Sequence, residues 1–146
     1  MTKIFAHRGA SAYAPENTME AFELAAKQGA DGIELDVHVT KDGEVVVTHD
    51  EKIDRVSNGS GFIKDMTLRE LKRLSFHNHM ESYVGAGIPT LREVLEYVST
   101  INMDVNIELK TGIYWYPQIE EKTAFIVQET GMHDRVIYSS FNHHSI

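Results

Sequence analysis

Two segments of the chain alternate between hydrophobic and polar residues at every second position, and both predict β-strands. In residues 32–40, GIELDVHVT, aliphatic side chains occupy one face, whereas Glu34 and Asp36 lie on the other. In residues 103–110, MDVNIELK, Glu108 lies on the polar face in the same way. Because successive side chains on a strand point to opposite faces, each segment places ionisable groups on one side of a sheet.

Shorter apolar runs predict further strands, and the segments between them predict helices. The strands are predicted at residues 3–7, 33–39, 44–48, 104–109 and 135–140. The turn signal KDG before residue 44 favours an antiparallel hairpin or a short continuation of the preceding strand. Three helices are predicted to begin at polar caps, each followed three residues later by a glutamate: Asn17, Thr67 and Thr90. A fourth helix is predicted over residues 117–130.

The order of these elements predicts an α/β fold. Strands separated by helices favour a parallel sheet wrapped by helices, either open or closed into a barrel. The 146 residues suit one domain, 1–146, with room for a hydrophobic core, and no repeat or linker divides them.

Composition and charge narrow the functional classes. The chain has 42% hydrophobic and 25% charged residues, which is typical of globular proteins. Its formal net charge of −8 argues against nucleic acid and anionic membranes as partners. The absence of cysteine excludes disulfides, thiolate nucleophiles and cysteine-based zinc sites. A polar N-terminus and the lack of a long apolar run predict a cytoplasmic protein without membrane insertion.

Acidic residues on the predicted strands are candidates for a metal site. Both faces of a parallel sheet are usually buried, and burying carboxylates without partners is costly. Glu34, Asp36 and Glu108 have no matching cluster of cations, which suits a hard divalent ion such as Mg²⁺ or Ca²⁺. A half-solvated antiparallel sheet with these acids facing water explains the alternation equally well, so the pattern alone leaves both interpretations open.

Two histidines end predicted strands, where the sites of α/β proteins form. His7 ends the first strand and is followed by Arg8 and Gly9, and His49 ends another. Two histidines can supply a general acid and a general base, and Arg8 can bind a phosphate in a bidentate manner. A single histidine is more often a surface or hydrogen-bonded residue than a catalyst, so this interpretation depends on the combination.

Several motifs occur in a fixed order along the chain. They are AHRGASAYAPENTMEAFELAAKQGADGIELDVHVTKDGEVVVTHD, TLRELKRL, IPTLREVLEYV, NIELK and VIYSSFN, and they cover essentially the whole chain. Together they resemble the glycerophosphodiester phosphodiesterase family. The resemblance implies a TIM-type (β/α)₈ barrel and metal-dependent hydrolysis of a small-molecule glycerophosphodiester to an alcohol and glycerol 3-phosphate.

The same resemblance implies roles for seven residues. One divalent cation, Mg²⁺ or Ca²⁺ with Mn²⁺ as a further option, would be bound by Glu34, Asp36 and Glu108. The acid–base pair would be His7 and His49. Arg8 would lie beside the substrate phosphate and Lys110 beside the last carboxylate, Glu108, and both would bind the substrate.

Other polar and aromatic residues receive structural interpretations. Glu16 and Asn17 are expected to serve the start of the first helix, and His38 is expected at the rim of the site. The histidines expected in loops are His77, His79, His143 and His144. The aromatic run at residues 114–116 either lines the pocket mouth or packs against the next helix.

The length departs from the family's pattern, since a barrel of this type takes about 250 residues. The chain is therefore expected to be a partial barrel of about five strands: a shortened protein, a part of a longer one, or a half whose open sheet edge a second copy covers. Rival functions are a lysophospholipase D-like phosphodiesterase of the same fold and a catalytically weak fragment acting as a binding or interaction protein. A nucleotide-binding domain is disfavoured, because no glycine-rich phosphate loop follows the first strand.

Overall fold

A computed structural model describes residues 2–111, 116 and 118–140 of the chain. Within them the strands and helices follow the predicted order: strand, helix, strand pair, two helices, strand, helix, strand. The elements are β1 (Phe5–His7), α1 (Met19–Lys27), β2 (Gly32–Val39), β3 (Val45–Val47), α2 (Leu68–Lys72), α3 (Leu91–Ser99), β4 (Asp104–Leu109), α4 (Ile119–Glu129) and β5 (Val136–Ser139). Two short 3₁₀ helices, Ile63–Asp65 and Glu81–Tyr83, lie in the long segment between β3 and α3.

The strands form one mixed sheet. β1, β2, β4 and β5 are parallel and lie in the order β1-β2-β4-β5, whereas β3 pairs with β2 in the antiparallel direction. The five predicted strands are all present, and the hairpin interpretation of the turn before residue 44 is confirmed. Since β2 and β4 pair in parallel, the antiparallel alternative for the acidic strands is wrong.

The aliphatic faces of β2 and β4 form the main core with α1 and α3. Ile33, Leu35 and Ile107 on the strands are fully buried, and so are Phe22 of α1 and Leu95 of α3. Removing such a side chain typically costs about 2–5 kcal/mol, so the core fixes which face of each strand turns towards the helices. By alternation, the polar residues of β2 and β4 point away from this core.

The long segment between β3 and α3 has a hydrophobic cluster of its own. The cluster packs against Val46 of β3 and consists otherwise of Ile53, Val56, Ile63, Leu71, Phe76 and Ile88. An isolated bridge between Lys52 and Phe62 closes the first part of the segment. This packing anchors the loop after β3, which carries polar residues of the candidate site described below.

The first helix begins later than predicted. Thr18, and not Asn17, is the N-cap of α1, because its side chain accepts a hydrogen bond from the backbone of the first turn. Asn17 instead has a left-handed backbone with φ of 55°. The predicted caps Thr67 and Thr90 are confirmed. Asparagine and threonine are both favoured N-cap residues, so the sequence could not separate two neighbours.

Some predictions fall outside the described residues. These are the loop positions of His143 and His144, residues 114 and 115 of the aromatic run, and the helix start at residue 117. Among the helices that the structure describes, none combines the length and the apolar character needed to cross a bilayer.

Candidate active site

Strand pairing brings the predicted site residues together from distant parts of the sequence. Asp36 lies opposite Glu108 in the β2–β4 pair, and His7 lies opposite Glu34 in the β1–β2 pair. Glu34 and Asp36 share a face because they are two residues apart on β2. One carboxylate oxygen from each of Glu34, Asp36 and Glu108 lies within 4.8 Å of the others. The three predicted metal ligands therefore form one cluster.

This carboxylate cluster is poorly solvated and incompletely paired. Asp36 is fully buried, and the side chain of Glu34 is 12% exposed. Burial, together with the neighbouring Asp36 carboxylate, raises the pKa of Glu34 to about 8. Within the described part of the chain, Glu34 Oε1 and Asp36 Oδ1 have no hydrogen-bond partner. A divalent cation would satisfy both atoms, and a donor set made only of oxygens fits Mg²⁺ or Ca²⁺.

Two cationic side chains lie beside the cluster. Arg8 Nε is 3.7 Å from Asp36 Oδ2. Lys110 Nζ is 2.9 Å from Glu108 Oε1 and 3.7 Å from Asp36 Oδ1. Both cationic side chains are largely buried, with 20% of Arg8 and 14% of Lys110 exposed. A phosphate placed next to the carboxylates would therefore meet positive charge as well.

A tight turn after β1 places Arg8. Arg8 and Gly9 have φ values of 57° and 80°, and the Arg8 N–H donates to the Glu34 backbone oxygen at 2.9 Å. A Cβ added at Gly9 would lie 2.8 Å from Ala21 of α1. A left-handed backbone at a residue other than glycine costs about 1–3 kcal/mol, and such strain is concentrated at functional sites. The turn is thus fitted closely to both β2 and α1.

The two candidate acid–base histidines lie in different environments. His7 is 68% exposed, and its Nε2 lies 3.6 Å from Glu34 Oε2. His49 is 31% exposed, and its Nδ1 lies 2.8 Å from Asp50 Oδ1. Because an ionised carboxylate only accepts hydrogen bonds, Asp50 favours the tautomer of His49 with the proton on Nδ1. Nε2 is then the nitrogen that can take up a proton.

Asp50 is held in its ionised form. Burial alone would raise its pKa, but the hydrogen bonds from Arg55 and His49 outweigh burial and lower the pKa of Asp50 to about 2. The carboxylate therefore stays negative across the physiological range and keeps its hydrogen bond to the imidazole.

His38 lies inside the protein, and the prediction that it lies at the rim of the site is wrong. It is fully buried, and burial lowers its pKa. Its Nε2 lies 2.9 Å from the His49 backbone oxygen, and its Nδ1 lies 2.7 Å from the Tyr116 hydroxyl. A carbonyl only accepts, so Nε2 carries the proton and Nδ1 accepts from the hydroxyl. His38 thereby connects β2 to the segment after β3 and to the segment between β4 and α4.

Polar residues between β1 and α1 contact the site in a way that the sequence patterns missed. Asn17 Nδ2 donates to Asp36 Oδ2 at 3.0 Å. Glu16 pairs with Arg8 at 3.1 Å and with Arg55 at 2.8 Å. The prediction that Glu16 and Asn17 serve the helix start is therefore wrong. The signal that could have found them is their place in the loop after a parallel strand, where α/β sites form.

Two other histidines lie in a loop, as predicted. His77 and His79 follow α2, and His77 Nδ1 lies 2.7 Å from Ser75 Oγ. In residues 2–111, 116 and 118–140, no second group of three or more potential metal ligands accompanies the carboxylate cluster.

Comparison with known proteins identifies the family of the chain. Residues 7–146 match the model of the glycerophosphoryl diester phosphodiesterase family. The chain belongs to that family. A glycerophosphodiester phosphodiesterase from Caldanaerobacter subterraneus is 52% identical in an alignment of 146 positions that covers 99% of this chain and 60% of the relative. The family resemblance stated from the motifs is confirmed.

Solved structures of family members confirm the fold. A glycerophosphodiester phosphodiesterase from Agrobacterium tumefaciens matches with a TM-score of 0.91 and 40% identity, over 99% of this chain and 60% of that one. An Oleispira antarctica phosphodiesterase in complex with the product sn-glycerol-3-phosphate matches with a TM-score of 0.84 and 34% identity, with the same coverage. The sheet and its helices correspond to part of a TIM-type barrel, and the chain spans about 60% of the length of these relatives.

Proposed function

We propose that residues 1–146 form the N-terminal part of a phosphodiesterase domain that hydrolyses glycerophosphodiesters to an alcohol and sn-glycerol 3-phosphate, with the help of a divalent metal. The observation that carries this proposal is the clustering of Glu34, Asp36 and Glu108 within 4.8 Å, beside two cations. Family membership and the product bound by the Oleispira antarctica relative support the substrate class.

Under this proposal the three carboxylates hold one divalent cation, Mg²⁺ or Ca²⁺ with Mn²⁺ as a further option. When bound, such an ion polarises phosphoryl oxygens and offsets the negative charge that develops on them. Asn17 supports this arrangement, because it donates to Asp36 Oδ2 and thereby orients the carboxylate. Asp36 Oδ1 makes no hydrogen bond to a described residue, so it is available as a ligand.

Arg8 and Lys110 are proposed to bind the substrate phosphate. A guanidinium can bind two phosphate oxygens at once, whereas an ammonium acts as a compact point charge. Glu16 accepts a hydrogen bond from Arg8 Nη1 at 3.1 Å, which restricts the orientation of the guanidinium. The substrate would therefore meet cations that are already oriented, and positioning of this kind contributes much of an enzyme's rate.

His7 and His49 are proposed to move the protons. Hydrolysis of a phosphodiester adds water across a P–O bond, so the attacking oxygen must lose a proton and the departing alcohol oxygen must gain one. In His49 the Asp50 contact leaves Nε2 as the nitrogen that exchanges a proton. His7 has an exposed ring, and its Nε2 lies 3.6 Å from Glu34 Oε2, at the edge of the carboxylate cluster.

The test is the release of glycerol 3-phosphate from sn-glycero-3-phosphoethanolamine by the purified chain, first in EDTA and then with each metal restored. We expect no release in EDTA and restored release with Mg²⁺ or Ca²⁺. His49→Gln should slow release by about 10²–10⁴, whereas Glu96→Gln, at an exposed position on α3, should not change it. Faster turnover of a lysophospholipid would favour the lysophospholipase D alternative. Substrate binding without turnover in any metal would contradict the proposal and favour a binding protein.

The exposed edge strand supports an oligomeric form of the protein. On β5, Ile137 is 56% exposed and Tyr138 is 37% exposed. Among the described strands, β5 pairs only with β4. An unpaired strand edge with exposed apolar residues favours pairing with another chain, and we propose that a second copy covers it. Light scattering that gives the mass of one chain at every concentration would contradict this.

We also propose the cytoplasmic location that the sequence predicts, and cell fractionation tests it.

A further inference from the structure

Arg55, in the loop after β3, donates hydrogen bonds to two carboxylates at once. Its Nε and Nη2 donate to the two oxygens of Asp50 at 2.9 and 3.2 Å. Its Nη1 and Nη2 donate to the two oxygens of Glu16 at 2.8 and 3.0 Å. Both contacts are bidentate, and neither the sequence patterns nor the family resemblance selected this residue.

Each carboxylate held by Arg55 in turn holds a residue of the proposed reaction. Asp50 Oδ1 accepts from His49 Nδ1 at 2.8 Å. Glu16 Oε2 accepts from Arg8 Nη1 at 3.1 Å. Asp50 therefore links Arg55 to His49, the proposed proton carrier. Glu16 links Arg55 to Arg8, the residue proposed to bind the phosphate. Arg55 connects the loop after β1 with the loop after β3, which are far apart in sequence.

The chemistry of these contacts favours a role in orientation over a role in stability. The Arg55 side chain is 45% exposed, and an exposed ion pair adds only about 0–1 kcal/mol to stability. A planar guanidinium, however, fixes the plane and direction of each carboxylate that it binds in a bidentate manner. Glu16, with 9% of its side chain exposed, has little freedom to find another partner. Lysine at this position would supply the charge without the two-sided geometry.

We propose that Arg55 is a positioning residue for the hydrolytic site, holding His49 through Asp50 and Arg8 through Glu16. In so far as it concerns turnover, this inference rests on the proposed function. The orientation of the His49 imidazole is a separate consequence, and it can be measured without substrate.

The first measurement is the tautomer of neutral His49 by long-range proton–nitrogen correlation spectra of the whole chain in EDTA. Comparison with His49→Gln identifies the signals. We expect the proton on Nδ1 in the parent chain and a shift towards the Nε2–H form in Arg55→Gln and Asp50→Ala. The matched control is Arg92→Gln, which breaks an arginine–glutamate pair of similar exposure, 41% and 44%, away from the site. An unchanged tautomer in Arg55→Gln would overturn the proposal.

The second measurement separates kcat from KM on sn-glycero-3-phosphoethanolamine with saturating metal. A small displacement of a catalytic group can cost up to about 100-fold in rate. Asp50→Ala should therefore lower kcat by about 10- to 100-fold with little change in KM, and Glu16→Gln should mainly raise KM. Arg55→Gln should both lower kcat and raise KM. Combining Arg55→Gln with Asp50→Ala, or with Glu16→Gln, should give a double variant little worse than the more impaired of its two single variants. Additive effects would show that Arg55 acts independently of both carboxylates and would overturn the proposal.

Arg55→Lys decides the matter if Arg55→Gln fails to fold. The lysine variant keeps the charge but can hold only one carboxylate well, so we expect an intermediate tautomer population and an intermediate kcat. A lysine variant indistinguishable from the parent in both readouts would overturn the proposal. If the parent chain shows no turnover with any metal, the proposed function fails, and the tautomer measurement still decides whether Arg55 positions His49.

Discussion

Replacing Glu34 with glutamine should separate the metal affinity of the carboxylate cluster from the stability of the fold. The pKa of Glu34 is raised to about 8, so its carboxyl is largely protonated at pH 7 without metal. Glutamine is neutral and has nearly the same shape. Glu34→Gln should therefore make the folded chain no less stable than the parent at pH 7 in EDTA, because glutamine does not need the proton that Glu34 takes up on folding, while it removes an anionic oxygen that a cation needs.

The loss of metal binding should be large enough to measure by thermal unfolding. A ligand present at about 100 times its Kd stabilises the folded state by about 2.7 kcal/mol. For a chain of 146 residues, each kcal/mol shifts Tm by about 2–4 °C, so saturating Mg²⁺ or Ca²⁺ should raise the Tm of the parent by about 5–10 °C. If Glu34→Gln weakens binding about 100-fold, the same metal concentration adds only about 0.4 kcal/mol, or about 1 °C.

The assay is a thermal unfolding titration of the parent, Glu34→Gln and Glu96→Gln in EDTA and in rising metal. The control undergoes the same chemical change at an exposed position on α3 and should keep the full metal-induced shift. A Glu34→Gln chain that also keeps the full shift would refute the role of Glu34 as a ligand. A fall in Tm of several degrees in EDTA would refute the reasoning that Glu34 is neutral without metal.

The same variant should change the pH dependence of stability in EDTA. The folded pKa of Glu34, about 8, lies above its ordinary value of 4.5, so the folded state binds the extra proton. The stability that this group contributes is fully present below pH 4.5 and is lost as the pH rises through about 8. Because the site is partly open to solvent, we expect a loss of no more than about 2 kcal/mol. Glu34→Gln should lack this loss, and urea unfolding at several pH values measures it.

Three further predictions follow from the contacts around the site. His49→Gln should keep the metal-induced rise in Tm yet lower kcat by about 10²–10⁴, and retained turnover would remove His49 from the acid–base pair. His38→Phe should lower the free energy of unfolding, measured in urea, by about 2–4 kcal/mol, because it removes the buried hydrogen bonds to the Tyr116 hydroxyl and to the His49 backbone oxygen. A cost below that of Tyr116→Phe would contradict this. The pKa of Asp50, about 2, lies below its ordinary 3.8, so its stabilising effect is present above pH 3.8 and lost as pH falls towards 2. In measurements of the free energy of unfolding at several acidic pH values, Asp50→Asn should lack this loss of stability.

The strands, and the face of each strand that carries the carboxylates, could be predicted from local patterns, whereas the choice of a metal site over acids facing water depended on the family resemblance. Alternation at a period of two placed Glu34 and Asp36 on one face of β2 and Glu108 on the polar face of β4. Parallel pairing then sets Asp36 against Glu108. The aliphatic faces supply most of the burial energy, so a register that moved the acids to the other face would turn these aliphatic residues away from the core.

The contacts that orient the site could not be predicted in the same way. Asn17 and Thr18 are both good caps, and only the left-handed backbone of Asn17 directs its amide to Asp36. His38 follows the alternation of β2, but its burial depends on Tyr116 and on the chain after β3. Arg55 lies in a loop without periodicity. Such residues are placed by long-range packing, which a local pattern does not encode.

The antiparallel pairing of β3 with β2 has a consequence for the order of folding. The β2–β3 hairpin joins neighbouring segments, with Val37 opposite Val47, and hairpins of this kind form within about 1–10 μs. The β2–β4 pairing must instead close a loop that includes the whole segment between β3 and α3, which is slower. Asp36 would then lie on a preformed strand before Glu108 is placed opposite it on β4, so the repulsion between these two carboxylates arises only late in folding. Pulsed hydrogen exchange should protect the amides of β2 that bond to β3 before those of β4, and simultaneous protection would contradict this order.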